Sequence, residues 1–219
     1  VDIEEYLSFL TYYEKDGQIY QNHEEGKARK LATLNTFFGY FHKKEMIQKN
    51  APSVVDVPRV KEKNIIRLDA NEVAQLIDNI ESGEKLTKQQ KVWHERNKAR
   101  DLAIVVTLLG TGVRVTELVG LDLSDLDFDN GAMRVIRKGG NEDIVYFGEE
   151  TEEMLRNYLD ERMKMTPAPG HENALFISQN NTRITVRSVE RLVKKYASTA
   201  TVKKITPHKL RSTYGTALY

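Results

Sequence analysis

The sequence predicts a mainly α-helical chain with one small antiparallel sheet, arranged in two blocks. Three observations carry this. Apolar residues recur at helical spacing over most of the 219 residues. A single stretch, DLDFDNGAMRVIRKGGNEDIVYF, replaces that period with alternation. Between residues 50 and 66 the pattern breaks at Asn50, Pro52 and Pro58, and the charged run RVKEKN that follows carries no periodicity.

The elements follow in order. Ile3, Tyr6, Leu7, Leu10 and Tyr13 are spaced as one helix face, and Leu31, Leu34, Phe37, Phe38 and Phe41 repeat the spacing between Lys27 and Phe41. These form a small helical block, residues 1–58, with a linker at 59–66 and a second block at 67–219. Asn71 opens the next helix, to about residue 81, and another runs from 88 to 109. A turn at GTG and a short helix through Val119 come next. In the alternating stretch, Asn130-Gly131 separates two strands and Lys138-Gly139-Gly140 precedes a third. Helical patterns return at about 149–164 and 185–197, and Pro207 starts the last helix, because a proline at the first helical position forfeits no hydrogen bond.

Composition bounds function only loosely. No apolar run reaches the length of about 18 residues that spans a bilayer, and VDIEEYLSFL lacks the basic start of a secretion signal. There is no cysteine, so neither disulfides nor thiolate metal sites are available, which suits a reducing cytoplasm. The first residue is Val1, and a fragment of a longer protein is expected. The net charge of +1 conceals an asymmetry. From 183 to 219, Arg183, Arg187, Arg191, Lys194, Lys195, Lys203, Lys204, Lys209 and Arg211 face the single acid Glu190. The acids gather at Asp122, Asp125, Asp127 and Asp129 and at Glu149, Glu150, Glu152 and Glu153. One basic face for an anionic ligand is the expectation.

Several motifs fail on inspection. His94-Glu95 starts like a zinc-protease helix, but Lys98 stands where the second histidine belongs, so a solvated helix is expected. Asp125, Asp127 and Asp129 start like a calcium loop, yet Asn130 and Ile136 occupy the glycine and bidentate-acid positions, leaving a hairpin edge. Asn180-Asn181-Thr182 fits a glycosylation sequon without any sign of secretion. No P-loop or Rossmann glycine pattern occurs. No metal site or cofactor is expected.

Four basic residues remain: Arg114 in GTGVRVTELVGL, Lys138 in RKGGNED, and His208 with Arg211 in TPHKLRSTYGT. Singly each has a bland reading, such as an Arg114–Glu117 helix pair or a solubilising lysine. Together they fit one task. In-line attack on a phosphodiester builds negative charge on the non-bridging oxygens, which two guanidinium groups can hold by paired hydrogen bonds. A lysine on a hairpin can protonate the leaving alkoxide, and a histidine can help move the nucleophile's proton.

In these motifs the chain resembles the tyrosine recombinases, the phage-integrase family. Thr111-Gly112-Val113-Arg114 with Glu117 matches the first arginine box, Lys138 the lysine turn and His208 to Arg211 the HxLR box. Among branches the likeness is to integrases of conjugative transposons. The resemblance implies a helical core-binding domain at 1–58 and a mixed α+β catalytic domain at 67–219. It assigns catalysis to Arg114, Lys138, His208 and Arg211, with Glu117 in support. The implied activity is cleavage and rejoining of double-stranded DNA through a 3′-phosphotyrosine, for integration and excision of a mobile element. The implied assembly is a dimer on each site and a tetrameric synapse, in the cytoplasm and on the nucleoid. Such integrases usually carry an N-terminal arm-binding domain, and no stretch of this sequence resembles one.

The family's tyrosine lies about thirty residues beyond the second arginine, so the catalytic domain is expected to be truncated before it. Tyr214 shares the helix of Arg211, and a packing role is expected for Tyr219. Arg187, Arg191 and Lys195 form a stripe for DNA, opposite Val186, Val189, Leu192, Val193 and Tyr196. Lys27, Arg29, Lys30, Lys43 and Lys44 form a second set, and the two domains would close as a clamp. A non-catalytic clamp of the same fold and a type IB topoisomerase are the alternatives. A pure clamp has no use for the lysine turn, and the helical block before the linker favours a recombinase.

Overall fold

The computed structural model describes residues 3–60, 66–201 and 203–217; Tyr219 and the linker residues 61–65 lie outside them. The chain is mainly helical with small antiparallel sheets, and it divides into two compact units, Val1–Asn64 and Ile65–Tyr219. No helix among the described residues is long and apolar enough to cross a membrane.

The first unit contains α1 (Ile3–Phe9), a hairpin of β1 (Tyr13–Lys15) and β2 (Gln18–Tyr20), and α2 (Glu24–Lys43). The hairpin corrects the expectation that Tyr13 continues the first helix. Asp16 and Gly17 take positive φ of 52° and 72°, a tight turn whose twist suits two short strands. Tyr13 instead stacks on Tyr20 across the strands, with ring centroids 5.3 Å apart. The core here is small: Leu7, Leu10 and Leu31 are buried, with Ile3, Tyr6, Tyr13 and Val55 packed against them. Pro52 is buried in a short 3₁₀ turn over Ala51–Val54, where the helical pattern stops.

The second unit is built around α4 (Lys88–Thr111). From Leu102 to Leu108 every residue is buried, so this half has no solvent face and no amphipathic period. Helices α3 (Ala70–Ser82), α6 (Glu149–Arg162), α7 (Val186–Ala200) and α8 (Pro207–Ala217) pack against it. Capping boxes start α3, at Asp69 and Glu72, and α4, at Thr87 and Gln90, each satisfying two backbone donors. The short α5 (Val115–Gly120) leads into an antiparallel sheet in the order β3 (Leu126–Asp127), β4 (Ala132–Ile136), β5 (Glu142–Tyr146). Met133 and Val135 face the core from β4.

Two expectations about charged segments change. His94 does not lie on a solvated face: it is 1% exposed, and its Nδ1 lies 3.1 Å from the Tyr196 hydroxyl. That hydroxyl donates to the buried Asp101, whose other partners are Arg100 and Lys195. Burial, with the Asp101 charge beside it, pushes the Tyr196 phenol far above its ordinary range. Arg183, counted in the basic face, is spent on the end of α5. Its guanidinium donates to the carbonyls of Val119, Gly120 and Leu121 and to Asp122, holding carbonyls the helix leaves open.

Candidate active site

The first arginine is placed by the way α4 stops. Gly112 takes a left-handed φ of 60° at the helix end and donates to Leu108 O at 3.2 Å. Only glycine fits there for a second reason: a Cβ would stand 2.3 Å from the Tyr214 ring of α8. The chain then extends through buried Val113, and Arg114 precedes the first turn of α5. Glu117, one turn on and 4% exposed, accepts from the Arg114 backbone N–H at 2.8 Å and from its Nη1 at 2.7 Å.

Glu117 has a further partner that sequence reasoning missed. Arg137 donates from Nη1 to Glu117 Oε2 at 2.9 Å and from Nε to Asp143 Oδ2 at 3.0 Å. Burial alone would raise the Glu117 pKa, but its hydrogen bonds from Arg114 and Arg137 outweigh that and hold it below the usual carboxylate value. The available signal was an arginine directly before Lys138. Its partners, at 20 and 6 residues' separation, were not readable as a motif.

The second arginine arrives on α8, which packs along the C-terminal end of α4. Leu210 is fully buried, and Thr213 Oγ1 accepts from the Leu68 N–H at 3.1 Å. This seats Arg211 so that its Nη1 donates to the carbonyl of Gly112, two residues before Arg114. Two boxes separated by almost a hundred residues therefore share one helix end. Among the described residues the Nε and Nη2 atoms of both arginines have no partner, so each retains donors for an anion. The Arg114 side chain is 52% exposed.

The other predicted residues are placed as follows. His208 is exposed on the first turn of α8, one turn before Arg211. Lys138 is exposed in the turn between β4 and β5 and has no bonded partner among the described residues. It is joined to Arg114 only at one remove, through its neighbour Arg137 and Glu117. On α7, Arg187 and Arg191 are exposed, whereas Lys195 turns inward to Asp101, with its Nζ at 3.4 Å from the carboxylate and 3.8 Å from the Tyr196 ring centre. Burial lowers the Lys195 pKa despite that partner. In the first unit Arg29, Lys30, Lys43 and Lys44 are exposed, and Lys27 pairs with Glu24 at 2.6 Å.

A model of the phage integrase family matches residues 66–219. The chain belongs to that family. Its relatives include the tyrosine recombinase XerC of Corynebacterium glutamicum, 34% identical over 200 residues, covering 89% of this chain and 61% of the relative. The tyrosine recombinase XerS of Streptococcus agalactiae serotype III is 39% identical over 163 residues, covering 73% and 45%. Among solved structures, a variant of the Tn1549 transposon integrase in complex with a circular intermediate DNA is similar. It has 25% identity and a TM-score of 0.65, covering 89% of this chain and 66% of that one. The chain thus spans about half to three fifths of the length of these curated relatives.

Proposed function

We propose that the protein carrying this chain is a site-specific DNA recombinase that breaks and rejoins duplex DNA through a 3′-phosphotyrosine. One observation supports this most: the Arg211 guanidinium on the Gly112 carbonyl brings the second arginine box to the helix end that presents Arg114. A phosphodiester seated between the two would have its non-bridging oxygens held by fixed cations. Such donors act on charge that grows in the transition state and need no rearrangement during the reaction.

In this reading a tyrosine oxygen attacks phosphorus, the P–O5′ bond breaks, and Lys138 gives its ammonium proton to O5′. Rejoining reverses the step. His208, one turn before Arg211, takes part in moving the tyrosine proton, and Glu117 fixes the Arg114 guanidinium. Tyr214 is not the nucleophile in this account, because its ring lies on Gly112 as a packing element. The attacking tyrosine belongs to chain outside the described residues.

The exposed Arg187 and Arg191 of α7 and the exposed Arg29, Lys30 and Lys43 of α2, with Lys44 just past its end, are the phosphate contacts of the two units, the first unit a core-binding and the second a catalytic domain. Both engage one duplex, as dimers on each site and tetramers in the synapse. The similarity to a transposon integrase supports integration and excision of a mobile element as the role. The test is a nicked suicide substrate bearing the recombination site, given to the longest natural form of the polypeptide. The expected result is a covalent protein–DNA adduct at the 3′-phosphate. DNA binding without any adduct would leave only the clamp reading.

A further inference from the structure

Between strands β4 and β5 the chain makes its turn at Lys138, Gly139 and Gly140. Among the described residues, no atom beyond the adjoining residues lies within 4 Å of where a Cβ would stand at either glycine, so the tip of the turn is open. The last anchored residue before Lys138 is Arg137. Its N–H donates to Asn141 O at 2.7 Å, and its carbonyl accepts from Gly140 N–H at 3.0 Å, which closes the base of the turn. Its side chain reaches in two directions, to Asp143 on β5 at 3.0 Å and to Glu117 on α5 at 2.9 Å. Glu117 in turn holds the Arg114 guanidinium at 2.7 Å.

We propose that Arg137 is a positioning residue that fixes the root of the Lys138 turn to the helix carrying Arg114, and so sets where the leaving-group proton is delivered. The proposal rests on the recombinase reading above. A free turn would carry Lys138 through many positions, and proton transfer needs donor and acceptor within hydrogen-bond reach. An arginine suits the role because its planar fork offers two separated donor edges to two carboxylates. A lysine offers one point charge and can serve only one of them. The shared carboxylate also explains the burial of Glu117. Its Oε1 serves Arg114, and its Oε2 serves both the Arg114 backbone and Arg137, so the acid-bearing turn and the phosphate-binding arginine are registered to one group.

The experiment compares two suicide substrates in the longest natural form of the polypeptide, one with the ordinary 5′-oxygen leaving group and one with a 5′-thiol, which departs without a proton. Arg137→Ala should slow cleavage of the oxygen substrate by about tenfold or more and leave the sulfur substrate within about twofold of wild type. Arg137→Lys should fall between. Lys138→Ala should show the same rescue, and the double variant should be no slower than Lys138→Ala alone. Asp143→Ala, which removes one outer bond, should give a smaller loss with the same rescue, and it carries the test if Arg137→Ala does not fold. Equal slowing of both substrates, or an unaltered oxygen substrate, would overturn the assignment. If the wild-type protein cleaves neither substrate, the recombinase reading itself fails and this proposal falls with it.

Discussion

At the scale of single residues, buried or half-buried carboxylates organise this chain. Glu72 accepts from the Asp69 N–H at 2.9 Å, from Lys203 Nζ at 2.5 Å and from Thr201 Oγ1 at 2.6 Å, so it ties the start of α3 to the segment that leads into α8. The hydrogen bond from Lys203 is the main cause that lowers its pKa from 4.5 to about 2. Because the folded value lies below the unfolded one, the carboxylate contributes stability fully above about pH 4.5. That contribution is lost as pH falls toward about 2. Glu72→Gln keeps an acceptor for Asp69 and removes the charge. With Lys203 partly exposed, the cost at pH 7 should be about 1 kcal/mol or less. Thermal melts should show a gap between the two proteins at pH 7 that closes over this window; a gap indifferent to pH would refute the role. Such pairings explain what the sequence hid. The partners of Arg137, Arg183 and His94 lie far along the chain, and His94 sits in a run of charged residues that disguises its buried position.

At the scale of elements, α7 shows how a cationic stripe can be divided by packing. Val189, Leu192, Val193 and Tyr196 are buried as their spacing predicts, and Val186 is half-buried. The same helical period sets Arg187 and Arg191 outward, but Lys195 sits beside the buried Asp101 and turns to it. Arg191→Ala should therefore lower the log-log salt slope of duplex binding by about 0.9, the share of one neutralised phosphate. Lys195→Ala should lower it much less. Equal effects in a salt titration would show that Lys195 leaves Asp101 to meet DNA. Regular helices were legible because burial repeats with their period. The hairpin of β1 and β2 was not, since Tyr13 also satisfies the helical spacing of the residues before it. Asp16-Gly17 was the local signal that overrode it.

At the scale of the whole molecule, the two units differ in how much core they possess. The first buries Leu7, Leu10 and Leu31, whereas the second closes a continuous core around α4. The second unit also contains both arginine boxes, which were legible because each is a short contiguous motif. The carbonyl of Gly112 that receives Arg211 was not, because it depends on how α8 packs against α4. In the proposed function Arg114 and Arg211 act on one scissile phosphate. The most direct test of that shared role is covalent-complex formation on a suicide substrate by the longest natural form of the polypeptide, carrying Arg114→Ala or Arg211→Ala. Each substitution should reduce the cleavage rate by about 10²-fold or more, equivalent to about 3 kcal/mol in the barrier. Binding to the same DNA should weaken only modestly. A normal yield and rate of covalent complex from Arg114→Ala would contradict the account.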